Sequence, residues 1–147
     1  MFPEFQLGTE YKADYLLIGK NSGGYEFIFV ELENPNGNIT KKNGNIGEAF
    51  RKGIDQTKDW KRWLEKNYQS LREVFKKHMK ERDNLPNEFI EYDSTRFHYV
   101  VIAGRIKNFN ELTYQIKREY MREQNILLMH YDNLVDQSKG IIGESTY

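Results

Sequence analysis

DYLLIGKNSGGYEFIFVELE, from Asp14 to Glu33, is the stretch that decides the fold. Asp14–Gly19 reads as a strand, and the turn residues Asn21, Ser22, Gly23 and Gly24 lead into a second strand from Tyr25 to Glu33. Two strands joined by so short a glycine-rich link form an antiparallel hairpin. Downstream, NPNGNITKKNGNIG (Asn34–Gly47) is a loop by its Asn, Gly and Pro content. A helix follows, with Asn45 as N-cap and Glu48 completing a capping box, and runs through Trp63. A second helix is expected from Ser70 to Arg82, before Asn84–Pro86 break it. HYVVIAG (His98–Gly104) is a third strand, apolar enough to be covered on both faces. Asn108 and Glu111 open another helix, which leads into a fourth strand, ILLMHY (Ile126–Tyr131), and a short helix after Asp132. The order β-β-α-α-β-α-β predicts an α/β domain, a mixed sheet flanked by helices.

Composition narrows the function classes. The chain has 147 residues, room for one domain and one core. Apolar residues at 38% with charged residues at 30% give a folded globular composition, not a disordered one. No apolar run is long enough to span a bilayer, and the N-terminus lacks the pattern of a signal peptide, so no membrane role is expected. The absence of cysteine excludes disulfides and thiolate metal sites and fits a cytoplasmic setting. Basic and acidic residues balance at 22 each, which argues against a protein that coats nucleic acid by charge alone. It leaves room for a nucleic-acid enzyme whose charge is sorted by face. The basic residues do cluster, at Lys41–Lys42, Arg51–Lys52, Lys58–Arg62 and Arg72–Lys80, although a solvated helix face is the commoner explanation of any one cluster.

Two features point to chemistry. Side chains alternate along a strand, so Phe29, Glu31 and Glu33 share a face. Two carboxylates on a buried face are costly unless a cation is coordinated there. Hard divalent ions such as Mg²⁺ take one or two protein carboxylates, and Asp14, on the partner strand, can supply the second beside Glu31. The competing reading is that Glu31 and Glu33 mark a strand end emerging into solvent. In the first helix, Ala49, Gly53, Gln56, Trp60 and Trp63 form one stripe, with Gln56 set among small and aromatic residues. Ala49 and Gly53 suit a close approach to the sheet, and Gln56 needs a polar partner, either structural or functional.

These segments resemble a known family. LGTEYKADYLLIG (Leu7–Gly19), FIFVELENPNGNITKKNGN (Phe27–Asn45) and GEAFRKGIDQTKDWKRWLEKN (Gly47–Asn67) look like the nuclease domain of Shedu immune proteins, and FHYVVIAGR (Phe97–Arg105) and ILLMHYDNL (Ile126–Leu134) extend the likeness. That domain belongs to the PD-(D/E)XK superfamily. The resemblance implies a restriction-endonuclease-like core over residues 5–136, a C-terminal tail over 137–147, and metal-dependent DNA cleavage in antiphage defence. It implies Asp14 and Glu31 as ligands of Mg²⁺ or Mn²⁺, and Gln56 with Trp60 as the Gln-x-x-x-aromatic element. Glu33 stands where the superfamily usually carries its catalytic lysine. The resemblance implies that Lys41 or Lys42 in the following loop replaces it and that Glu10 adds an acid before the first strand; helical spacing puts Lys52 on the face of Gln56 as a further candidate. His78, His98 and His130 match no family position and are read as structural.

The resemblance further implies DNA as partner and a homo-oligomeric assembly, for which the aromatic content offers interface material. Met1 precedes the first motif so closely that an N-terminal regulatory region lying outside this chain is expected. Two rival readings remain: a catalytically inactive nuclease fold that binds DNA, because of Glu33, and a domain that mediates assembly.

Overall fold

The computed structural model describes residues 1–78 and 85–134. It has five strands and four α-helices among these residues: β1 (Phe2–Leu7), β2 (Tyr11–Asn21), β3 (Gly24–Leu32), α1 (Glu48–Asn67), α2 (Leu71–His78), α3 (Asn87–Ile90), β4 (Phe97–Ile102), α4 (Glu111–Gln124) and β5 (Ile126–Met129). The strands form one mixed sheet in the order β1-β2-β3-β4-β5. The α/β class expected from the sequence is therefore present. The expected end of the second helix at Arg82 and the tail at 137–147 lie outside the described residues, and Tyr131–Leu134 are helical as far as the description runs.

Two compact units divide the chain: Met1–Val30 with Asp55–Tyr99, and Glu31–Ile54 with Val100 onward. The first contains the hairpin. Its register runs from Tyr15↔Val30 to Asn21↔Gly24, so the Ser22-Gly23 link makes the tight turn. Arg96 braces that turn, donating from its guanidinium to the carbonyls of Gly23 (2.9 Å) and Tyr25 (3.2 Å). Strand β1 was not foreseen. It pairs antiparallel with β2 from Phe2↔Leu16 to Leu7↔Tyr11. Glu4 within it has φ of +49°, a conformation rare for a side-chain-bearing residue. Before that residue Phe2 is half-buried against His78, and after it Phe5 is buried and stacked on Phe75. A residue spacing of three between core-facing positions breaks the period of two that a strand reading relies on.

The rest of that core is aromatic. Phe27 stacks on Phe97 (centroids 4.7 Å, planes 7° apart), and Phe75 and Phe89 meet edge to face. Trp60 and Phe29 pack together from α1 and β3. The aromatic share of the chain is thus taken up largely by packing, since Phe5, Phe27, Phe29, Trp60, Trp63, Phe75, Phe89, Phe97 and Tyr99 are all buried.

The second unit is built on backbone hydrogen bonds between the loop and the strands. Glu33 N donates to Ile102 O (2.8 Å), and Asn34 O accepts from Gly104 N (3.1 Å) and Gly37 N (3.3 Å). Asn45 does not cap α1, because the helix begins at Glu48 and Gly47 precedes it; the Asn45 carbonyl instead accepts from Lys41 N (2.7 Å) inside the loop. Loop backbone serves the helix start instead, with Ala49 N donating to Asn38 O (3.3 Å). The cap of α4 is Asn110, whose side chain accepts from Thr113 N (3.0 Å). After β5, Asp132 accepts two bonds from the Arg105 guanidinium (2.8 and 3.0 Å) and one from Ile106 N (2.7 Å). Those hydrogen bonds, the guanidinium first, hold the Asp132 carboxyl well below its usual range. A carboxyl depressed in the folded state contributes stability that is complete above the ordinary Asp range and is lost as pH falls through its own lower range. Urea midpoints recorded below about pH 4 should therefore fall less steeply in Asp132→Asn than in the parent, starting from a lower value near neutrality.

Candidate active site

Pairing between β2 and β3 reaches Tyr15↔Val30. Asp14 and Glu31 are the next residues on the two strands. Asp14 is half-buried, and the β1–β2 ladder is interrupted beside it: pairing runs through Pro3↔Tyr15, skips Glu4, and resumes at Phe5↔Ala13. A residue held at positive φ next to the first acid is the kind of local strain that recurs at functional sites.

Helical geometry orients Gln56. Trp63, seven residues on, lies within about 20° of it around the helix, while Lys61 lies about 140° away. The Trp63 indole sits against Gly8, in the turn between β1 and β2, where an added Cβ would be 3.1 Å from the ring. Lys61 lies over the Tyr99 ring of β4, its ammonium 4.9 Å from the centroid. Gln56 therefore belongs to the flank of α1 that faces β1 and β2, the strand of Asp14. It is half-buried, while its stripe-mates Trp60 and Trp63 are buried. Thr57, fully buried on the same helix, was missed because threonine carries no distinctive spacing.

Glu31 is buried, at 9% exposure. The Phe29 ring meets Trp60 of α1, and alternation places Glu31 on the same face of β3. Continuing the alternation reaches Glu33, and its stem does lie under α1: a Cβ on Gly53 would be 3.2 Å from Glu33 Cγ. The backbone of Glu33 is fixed at both ends, its N–H on Ile102 and its carbonyl accepting from the Tyr131 hydroxyl. This is not a strand end fraying into water. Tyr131 is a supporting residue that no motif announced.

Lys41 and Lys42 are exposed at the tip of a small hairpin closed by a Thr40↔Ile46 bridge. That hairpin leans on the first turn of α4, through Thr40 Oγ1 to Thr113 Oγ1 (2.7 Å) and through Gly44 beside Leu112. Lys52 is exposed on α1, immediately before the Gly53 that packs on Glu33. Glu10 is exposed in the β1–β2 turn. The histidines are engaged in packing and pairing. His78 packs on Phe2, His98 lies 3.8 Å from Glu26, and His130 is buried against Phe109 with Nδ1 accepting from Asn133 N.

Among the described residues, no group of three or more His, Cys, Asp or Glu side chains is placed to hold a metal. Mg²⁺ does not require one, since it keeps most of its waters and takes one or two carboxylates. Glu31, a buried carboxylate, is an oxygen donor of the kind that a hard cation takes. Residues thus fit a magnesium-type ion better than a zinc-type one, which wants nitrogen or sulfur ligands.

No helix among the described residues is long and apolar enough to cross a membrane. Compared with known proteins, residues 1–135 match the family described as Shedu protein SduA, C-terminal. No curated protein matches the chain.

Proposed function

The chain belongs to the Shedu SduA C-terminal family, and on that premise we propose that it is a metal-dependent endonuclease of antiphage defence, hydrolysing phosphodiester bonds in DNA. One observation carries the reading: the hairpin register runs to Tyr15↔Val30, one residue short of Asp14 on β2 and of Glu31 on β3. Asp14 and Glu31 would hold Mg²⁺ or Mn²⁺. When bound, such an ion acidifies a water and offsets the charge that builds on phosphorus. Gln56 orients either that water or a phosphate oxygen, and its fixed flank on α1 means little reorganisation is needed. Glu33 cannot donate to phosphate when ionised, so a lysine must meet the developing charge. Plasmid incubated with Mg²⁺ should be cut by the parent protein and left intact by Asp14→Ala at equal folded concentration. Equal cutting by both would remove Asp14 from the site.

The rival reading, a nuclease fold that binds DNA without cutting it, draws on the exposed, α4-docked position of Lys41 and Lys42. Replacing both by Ala should lower the cleavage rate at least about tenfold, or about 1.4 kcal/mol of transition-state stabilisation. DNA affinity in Ca²⁺ should fall much less. If rate and affinity fall together, these lysines grip backbone phosphate only, and Lys52 takes the catalytic role. A parent protein that binds DNA but never cuts it, with any divalent ion, favours the rival.

A further inference from the structure

The turn after β5 delivers a phenol to the end of β3. Tyr131 is half-buried, and its hydroxyl donates to the carbonyl of Glu33. Its own backbone is held, with the N–H donating to Gly104 O (3.0 Å). The residue before it, His130, is buried edge-on against the Phe109 ring. His130 N donates to Asn133 Oδ1 (3.1 Å), and its Nδ1 accepts from Asn133 N (3.2 Å). The hydroxyl therefore comes from a support that is itself fixed.

That support acts where β3 runs out. Glu33 lies one residue beyond Leu32, the last of the strand. Its N–H donates to Ile102 O (2.8 Å), while Gly104, at a φ of +70°, sends its N–H one step further, to Asn34 O (3.1 Å). The phenol meets the Glu33 carbonyl. Anchoring the N–H and the C=O of one residue fixes both of its soft dihedrals, and with them the direction of its Cα–Cβ bond. The Glu33 stem is accordingly set beneath α1, where a Cβ on Gly53 would be 3.2 Å from Cγ. Glu31 shares that face of the strand by alternation, and two like charges there push a loose strand end apart. Glu31, Glu33, Gly53, Ile102, Gly104 and Tyr131 all belong to the same compact unit.

We propose that Tyr131 is a positioning residue of the metal site: by holding the Glu33 peptide, it keeps the end of β3 that carries Glu31 and Glu33 in place to receive a divalent cation. The role rests on the nuclease reading of the site. The phenol touches neither metal nor DNA. It establishes beforehand the order that the carboxylates must otherwise adopt when the ion binds. Removing the hydroxyl therefore costs metal affinity and not only fold stability.

Tyr131→Phe deletes the hydroxyl and keeps the ring. In the full chain without DNA, Mn²⁺ followed by electron spin resonance should bind the variant about tenfold more weakly than the parent. The Mg²⁺ concentration for half-maximal cleavage should rise by a similar factor, with the rate at saturating Mg²⁺ changed much less. The carbonyl-carbon resonance of Glu33 should move as its hydrogen bond is lost. A role in folding alone lowers the melting temperature and leaves the Mn²⁺ affinity of the folded protein unchanged, and that result overturns the proposal. So does a Glu33 carbonyl resonance that stays in place. Should Tyr131→Phe not fold, 3-fluorotyrosine at position 131 keeps the shape with a more acidic phenol. Its Mn²⁺ affinity should fall, by more than the parent's over the same pH range, as the phenol ionises and can no longer donate. A fluorinated protein that tracks the parent overturns the proposal. A parent that binds no Mn²⁺ overturns the nuclease reading as well, whereas a variant that binds Mn²⁺ like the parent overturns this inference alone.

Discussion

Glu31→Gln should lower Mg²⁺- or Mn²⁺-dependent cleavage by at least about a hundredfold, roughly 2.7 kcal/mol of barrier, and should also raise the melting temperature of the metal-free protein. The two effects have opposite signs because they come from one charge. Burying a carboxylate is costly, and Glu31 is 9% exposed, two residues from Glu33 on the same face of β3. Glutamine keeps the shape, removes the charge and relieves its repulsion with Glu33. The same change deletes the anionic ligand that a divalent ion needs. Thermal melts with and without Mn²⁺ separate the contributions. The parent should shift upward on adding metal, since binding to the folded state alone stabilises it by mass action. The variant should start higher and shift little. A variant that shifts as much as the parent would falsify the placement of the metal on Glu31. One that loses cleavage but melts lower without metal would show Glu31 to be held by structural bonds worth more than its burial costs.

Residue types at the candidate site were legible in the sequence because strands and helices have short periods. Alternation from Phe29 reaches Glu31 and Glu33, and the spacing of Ala49, Gly53, Trp60 and Trp63 marks the sheet-facing stripe of α1. The hairpin followed from the Ser22-Gly23 turn, and that turn sets the register that runs from Asn21↔Gly24 to Tyr15↔Val30. Strand β1 was illegible for an equally local reason: Pro3 lacks an N–H, and Glu4 breaks the alternation, so FPEFQL does not read as a strand. The position of Lys41 and Lys42 could not be read because it is set by a contact 73 residues away, Thr40 on Thr113. Tyr131, which fixes the carbonyl of Glu33 from 98 residues away, escaped for the same reason. Pairings at such separations have no sequence period to betray them.

Gly53→Ala should destabilise the protein by about 1–3 kcal/mol, although alanine is intrinsically the better helix former by about 1 kcal/mol. The sign is decided by space. An added Cβ at Gly53 would stand 2.3 Å from Val101 Cγ1 and 3.3 Å from Cγ2. Val101 is fully buried in β4 and, being β-branched, has few rotamers to retreat into. Relief must come from moving α1 off the sheet, which loosens the packing over Glu33, whose stem is 3.2 Å from the same point. The urea midpoint should therefore drop, and cleavage should drop further than the folded fraction accounts for. Val101→Ala alone also destabilises, by leaving a cavity. Combined with Gly53→Ala it supplies the room the new methyl needs, so the double variant should lose less than the sum of the two, with a coupling of about 1 kcal/mol or more. Strict additivity, or a Gly53→Ala protein more stable than the parent, would mean that α1 does not lie this close to β4. The placement of Glu33 beneath the helix would fall with it.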